Sequence, residues 1–155
     1  MSEPVRPELS FAFRIRAEIG RARSGGSSAR GERLHIPILG GLVEGSRLRG
    51  RILPGGSDWP LIRPDGHSDI AATYTIEADD GTPILVRNKG LRSSAPDVFA
   101  RMRAGEQVAP TEYYFRSTPV FEAPDGAHAW LNTRLFVASL APGRGEITID
   151  VYVLE

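Results

Sequence analysis

The side chains in this sequence best suited to chemistry on a small molecule are Glu44, Asp58, Trp59, Tyr74, Asn88, Arg116, Trp130 and Asn132. Asp58 and Glu44 are the candidates for a general base, a role open to a carboxylate whose pKa desolvation lifts toward neutrality. Arg116 is the third catalytic candidate, because a guanidinium can hold a carboxylate or enolate oxygen through two parallel hydrogen bonds. Asn88 and Asn132 could donate to a developing oxyanion. Trp59 and Trp130 would supply apolar walls, and Tyr74 joins these four as a substrate-binding residue. Each position also has a plainer reading. Glu44 precedes a glycine and could serve turn amides. Asp58 could cap a loop, Arg116 could pair with Glu122, Asn132 could fill a bulge, and both tryptophans could be core.

Other chemistries lack their residues. There is no cysteine, which removes disulfides, thiolate metal sites and cysteine nucleophiles. His35, His67 and His128 lie far apart, without paired ligand spacing, so no metal site is expected. His67 beside Asp65 and Asp69 is the one local ligand-like group, and a solvated loop explains it. No G-x-S-x-G elbow is present. No G-x-G-x-x-G or Walker pattern stands between a strand and a helix, so no nucleotide cofactor is expected. Lys89, the sole lysine, reads as a strand-end charge.

Composition bounds the partners. Lys plus Arg and Asp plus Glu are both 19, a zero balance that argues against nucleic acid. No apolar run approaches the ~20 residues of a membrane span. The first twenty residues show no signal-peptide core. The expectation is a single cytoplasmic domain over residues 1–155 whose partner is a small organic molecule.

The elements that must position these residues are strands. Seventeen glycines and twelve prolines spread through the chain argue against a helical bundle. Period-two alternation dominates. Leu9, Phe11, Phe13, Ile15, Ala17 and Ile19 share one face of a first strand. Arg21–Glu32 is small and polar, a flexible hairpin loop by composition. Leu34–Val43 is a second strand, where Pro37 implies an edge or bulge and Gly40-Gly41 a kink. Arg47, Arg49 and Arg51 form a solvated stripe. Ile52–Asp69 is read as a long loop at a pocket mouth. Ile70–Ala78 and Pro83–Lys89 form a hairpin around Asp79-Asp80-Gly81, with Tyr74 and Asn88 on inward faces. Ser94, Pro96 and Gly105 bracket a short helix over a barrel end or sheet edge. Two strand pieces broken by Pro119 follow, then a long strand His128–Leu140. A last strand, Glu146–Leu154, has Ile147, Ile149, Val151 and Val153 inward.

Eight to ten strands at hairpin spacing with one short helix predict an all-β fold. A closed antiparallel β-barrel is preferred over a sandwich, since closure removes edges and paired glycines suit strong curvature. A small barrel is either filled or holds one small ligand. The strand around Pro37 or the one containing Arg134 could also join two copies in a homodimer.

The runs IPILGGLVEGSRLRG, ILPGGSDWPLIRPDG, VRNKG, YYFRSTPVFE and AWLN, in this order, resemble the family called domain of unknown function 3237, or uncharacterised protein family 0311. The resemblance runs from about Leu9 to the C-terminus. It implies a barrel of the calycin or allene-oxide-cyclase kind and brings no activity with it. The family often has an aromatic residue where this chain has Val43, and Arg21–Glu32 matches no family motif.

Three functions fit. One is a cofactor-independent enzyme of proton-transfer type, an isomerase, cyclase or lyase on a small metabolite. Another is a non-catalytic carrier for an apolar molecule. The third is an interaction or structural module whose barrel is filled. The enzyme reading predicts that Trp59, Asn88, Arg116, Trp130 and Asn132 converge on one cavity with Asp58 or Glu44, rimmed by Pro54–Gly66.

Overall fold

The computed structural model describes residues 1–155. In chain order its strands are β1 (Leu9–Ile19), β2 (Arg23–Ser28), β3 (Gly31–Glu44), β4 (Gly50–Ile52), β5 (Gly56–Asp58), β6 (Leu61–Ile62), β7 (Ser68–Ala78) and β8 (Pro83–Ser94). The helix α1 (Pro96–Arg103) follows, and then β9 (Tyr113–Glu122), β10 (Leu135–Pro142) and β11 (Glu146–Leu154). The strands pair in the order β1-β11-β10-β9-β8-β7-β4-β3-β2, and β1 also pairs with β3. That last pairing closes the sheet. The short pieces β4, β5 and β6 follow one another between β3 and β7 and share one position. The result is a closed eight-stranded antiparallel barrel, with β2 as a hairpin arm on β3. No helix is long and apolar enough to cross a membrane.

The seam between β1 and β3 depends on Gly41, whose φ is +147°. A Cβ there would run into the carbonyl of Arg16 on β1. Pro37 lies where the pairing of β3 passes from β2, which ends at His35, to β1, which begins at Ile38. Its missing N–H therefore breaks no ladder on that side, and its carbonyl accepts from Gly20 N at 2.8 Å.

One end of the barrel is filled. Phe13, Phe121 and Phe136 meet edge to face, with ring centroids 5.4 and 5.0 Å apart. Leu131, on a 3-10 turn over Ala129–Thr133, is buried there as a plug. Toward the other end the inward residues include Ala17 and Ala72, which leave space. The helix α1 sits over that end. Phe99 and Arg103, four apart on one helical face, both line the opening. Gly105 ends the helix at φ +87°.

Several expectations need correction. Ile52–Asp69 holds two short strands, β5 and β6, and tight turns between β4 and β7, because Gly55 and Gly56 let the chain step back into the ladder. Arg21–Glu32 contains β2, a strand by backbone pairing alone, since its side chains are exposed. In β1 the register shifts between Phe11 and Phe13, so Ala12 is buried while Leu9 and Phe11 face solvent. Pro119 does not break β9; it pairs opposite Asn88, while the registered pairing with β10 is at Arg116 and Ser117. The long strand His128–Leu140 is a 3-10 turn followed by β10. The helix is preceded by Ala95 with no side-chain cap, because Ser94 is held in β8 opposite Tyr113.

The seam gives a direct test. Gly41→Ala should destabilise the fold by at least about 2 kcal/mol, since it forces a left-handed φ and a backbone clash together. Urea unfolding should show a lower midpoint, and an unchanged midpoint would mean the seam tolerates a side chain.

Candidate functional site

The open end leads into a cavity with an outer chamber of about 220 Å³ and a deep end of about 40 Å³. The two are continuous, sharing the walls Ile19, Ile36, Ile70, Phe115 and Ile147 and one acid, Asp58.

Strand register fixes how the polar groups face one another. Asp58 on β5 is opposite Ala72 on β7, and Ala72 is opposite Asn88 on β8. These side chains share one level of the barrel wall. Adjacent strands lie about 4.8 Å apart, so the methyl of Ala72 leaves an open gap between the carboxylate and the amide. Tyr74 is two residues further along β7 and points inward from the next level. Gly56 faces it, and a Cβ at Gly56 would meet the Tyr74 backbone and Cβ. The glycine lets the tyrosine pack flush with the wall. At the mouth, Ser68, Arg92 and Phe115 form another level across β7, β8 and β9.

The electrostatics follow from burial. Asp58 Oδ1 accepts from the Ala71 amide at 3.1 Å, but loss of water dominates and lifts its pKa to about 6. The charge of Arg92 and the neighbouring amides oppose that rise. Burial pushes the Tyr74 hydroxyl further above its ordinary value, and the charge of Asp58 adds to this, so Tyr74 stays protonated. Burial draws Arg92 down, while Asp58 holds it up. Seven buried side-chain atoms in the molecule lack a hydrogen-bond partner, and three of them line this one cavity: Tyr74 Oη, Asn88 Oδ1 and Arg92 Nε. An unpaired buried polar group costs roughly 1–3 kcal/mol, so their gathering here marks a place where a bound molecule has partners waiting.

Of the residues predicted from sequence, Asp58, Tyr74 and Asn88 line this cavity together. The other five lie elsewhere, which corrects the expected convergence. Asp58 faces inward, so its neighbour Trp59 faces out, half exposed and stacked on His35 at 5.4 Å. Arg116 lies between inward Phe115 and Ser117, so it points outward into a shallow groove of about 510 Å³ on the outer wall. Its Nη1 donates to the Phe115 carbonyl at 2.9 Å. Glu44 is exposed on β3 opposite Arg14. Trp130 and Asn132 belong to the 3-10 turn at the filled end. There Arg47 lies 3.8 Å over the Trp130 ring, and Asn132 exchanges two hydrogen bonds with the Ala123 backbone at 2.9 and 2.8 Å. Their i, i+2 spacing gives a shared face only in a strand. His67 sits by a closed ion cluster, with Arg63 on both Asp65 and Asp69.

Of the run Pro54–Gly66, Asp58, Pro60 and Ile62 line the cavity. Arg92 and Phe99 were missed. The inward row Ile84, Val86, Asn88 continues through Gly90 to Arg92, and ending the strand at Lys89 hid the arginine.

A closed eight-stranded barrel with one hollow end and a buried carboxylate on its wall is the class that the fold and cavity define. The chain belongs to the family described as protein of unknown function DUF3237, whose model matches residues 7–154. A UPF0311 protein from Rhodopseudomonas palustris (strain TIE-1) is 38% identical over 145 residues, covering 94% of this chain and 95% of the relative. The crystal structure of a conserved protein of unknown function from Rhodopseudomonas palustris superposes with TM-score 0.93 at 37% identity, covering 99% and 100% of the two chains. An enzyme from Penicillium herquei shares the fold, with TM-score 0.76 at 20% identity over 100% and 99% of the chains.

Asp58 makes stability depend on pH. Its pKa is about 6 in the fold and near the ordinary carboxylate value of about 3.9 when unfolded. The unfolded chain therefore loses this proton first, and folding stability falls as pH rises from about 4 through about 6. Asp58→Asn keeps the acceptor for Ala71 and removes the titration. The variant should be more stable than the parent above pH 6, by at most about 3 kcal/mol, and the gain should vanish near pH 4. Melting temperatures of both proteins across pH 4–8 check this; a constant difference would place the carboxylate in water.

Proposed function

We propose that this chain is a cofactor-independent enzyme that moves a proton on a small organic molecule, an isomerase, cyclase or lyase with Asp58 as its acid–base group. The observation that carries the proposal is one carboxylate, desolvated to a pKa near neutrality, on an aliphatic cavity wall opposite unpartnered donors and acceptors. A general base works best with its pKa near the working pH. A cavity built only to carry an apolar molecule has no use for a buried acid, which costs stability at pH 7.

The chemistry is as follows. Ionised Asp58 takes a proton from a carbon made acidic by an adjacent carbonyl. Negative charge then develops on the carbonyl oxygen. The Tyr74 hydroxyl and the Asn88 amide are the donors positioned to receive it. Protonated Asp58, whose proton exchanges with solvent, then gives a proton back to the same carbon, to another atom of the enolate, which completes an isomerisation, or to a departing group, which completes an elimination. No external oxidant or reductant is needed. The likeness to the Penicillium enzyme supports the fold as one that can host catalysis, and nothing finer.

A thermal-shift screen of small carbonyl compounds finds binders, because a ligand of the folded state raises its melting temperature. Each binder is then incubated with the protein in D₂O and followed by NMR. The proposal expects deuterium to enter the carbon next to the carbonyl. The rate should rise with pH through about 6 and then level off. Asp58→Asn should slow the exchange by roughly 10²–10⁴-fold while the compound still binds. Binding with no exchange in the parent protein would favour the carrier.

Cavity space gives a second test. Ala72→Leu fills the gap between Asp58 and Asn88. It should abolish ligand-induced stabilisation while the empty protein loses less than the roughly 1–3 kcal/mol usual for overpacking. Retained binding would put the ligand away from the gap over Ala72.

A further inference from the structure

We infer that the molecule this cavity takes is a compact monocarboxylate, roughly one ring in size, whose carboxylate is held at the mouth by Arg92. This rests on the acid–base reading of Asp58 only for what happens to the ligand, not for what binds it.

Two guanidiniums line the outer chamber, and they differ in what they already hold. Arg103 is committed: both of its terminal nitrogens donate to Glu32, each at 3.0 Å. Arg92 has no carboxylate within ion-pair distance. Its Nη2 reaches Ser68 Oγ only at 3.4 Å, and its Nε is buried without a partner. The ring of Phe99 lies 4.8 Å from its central carbon and that of Phe115 5.9 Å, so aromatic faces orient the group and exclude water from it. A desolvated guanidinium with an idle Nε edge matches one oxyanion type well. A carboxylate accepts two parallel hydrogen bonds from such a fork and carries a single charge. A phosphate dianion would need more donors, and no second free cation lines this chamber.

Size and polarity point the same way. A cavity of about 150 Å³ lined by aliphatic and aromatic side chains is known to accept benzene. The outer chamber here is about 220 Å³ and its remaining walls are mostly Ile, Leu, Pro and Phe. Arg92 and Asn88 lie on the same inward row of β8, four residues apart, or about 13 Å along the strand. Asp58 lines the same outer chamber as Arg92, so a carboxylate at Arg92 leaves the apolar body of the ligand on the Asp58 side of that chamber.

The experiment uses the full chain and isothermal titration with benzoate, phenylacetate and cyclohexanecarboxylate, each matched by its neutral primary amide. In the parent protein at least one acid should bind tenfold or more tightly than its amide. Arg92→Met should weaken that acid at least tenfold and leave the amide within about twofold. Arg92→Lys should recover part of the acid affinity, which a merely structural role for Arg92 would not produce. Circular dichroism and melting curves establish that both variants fold; if Arg92→Met does not fold, Arg92→Lys and the acid-to-amide ratio decide. Equal binding of acid and amide, no effect of Arg92→Met on acid binding, or no binding of any acid at millimolar concentration would each overturn the inference. Asp58→Asn separates this from the proton-transfer reading: it should keep the acid preference. Loss of deuterium exchange with that preference intact concerns Asp58 alone.

Discussion

A strand ring withdraws its interior from water only when it is complete, and in this molecule completion depends on β1 meeting β3. The two strands are near in sequence, with only the β2 arm between them and Ile19 opposite Ile38, so their join costs less chain ordering than that of β1 with β11, where Leu9 faces Leu154. The β1–β3 join is made where Gly41 lets the backbones approach and where Pro37 lies at the change of neighbour on β3. Without that join, the wall carrying Ile15 and Ala17 would not face the wall carrying Ile70 and Ala72. Asp58 would then stand in water as an ordinary carboxylate. The raised pKa is in this sense a property of the closure.

Closure alone gives a core, not a cavity. The difference between the two ends is a gradient of side-chain size. Phe13, Phe121, Phe136 and the plug Leu131 fill one end to contact. Edge-to-face aromatic pairs contribute about 0.5–1.5 kcal/mol beyond their buried area, so this end is where the fold is stabilised. The other end gives up packing at Ala17 and Ala72, and its polar atoms lack partners. Stability is thus concentrated at one end, and the other is left to carry buried groups that cost it.

Inward alternation was the part of the design most legible in the chain. The rows that contain Tyr74 and Asn88, and the row Ile147 to Val153, needed only a period of two. Barrel closure followed from turn spacing and paired glycines, and the family resemblance agreed with it. What could not be read was any feature where backbone geometry overrides pattern. The bulge near Ala12 turns Leu9 and Phe11 outward, although they alternate correctly with Phe13. The 3-10 turn at Ala129–Thr133 has the apolar content of a strand and no alternation to betray it. It took Trp130 and Asn132 to the far end of the barrel. Trp59 misled for a different reason: a large aromatic beside an acid suggests a pocket, yet neighbours in a strand face opposite ways, so only one of the two could enter. Arg92 was legible in principle. A charged residue on an inward row reads as the end of a strand unless something at that level keeps it dry, and here that something is Phe99, which comes from α1.

The separation of Asp58 from Arg92 is the feature that ties cost to use. A buried acid and a buried base are most comfortable bonded to one another, and such a pair would bring Asp58 far below neutrality. Here they sense each other's charge without forming an ion pair. The acid stays near neutrality, and the guanidinium keeps an edge free. What prevents the pair is placement: Asp58 shares its level with Ala72 and Asn88, whereas Arg92 stands at the level of Ser68 and Phe115 and is flanked by aromatic rings. The offset between those levels, four residues along β8 from Asn88 to Arg92, is what leaves both groups available to a bound molecule.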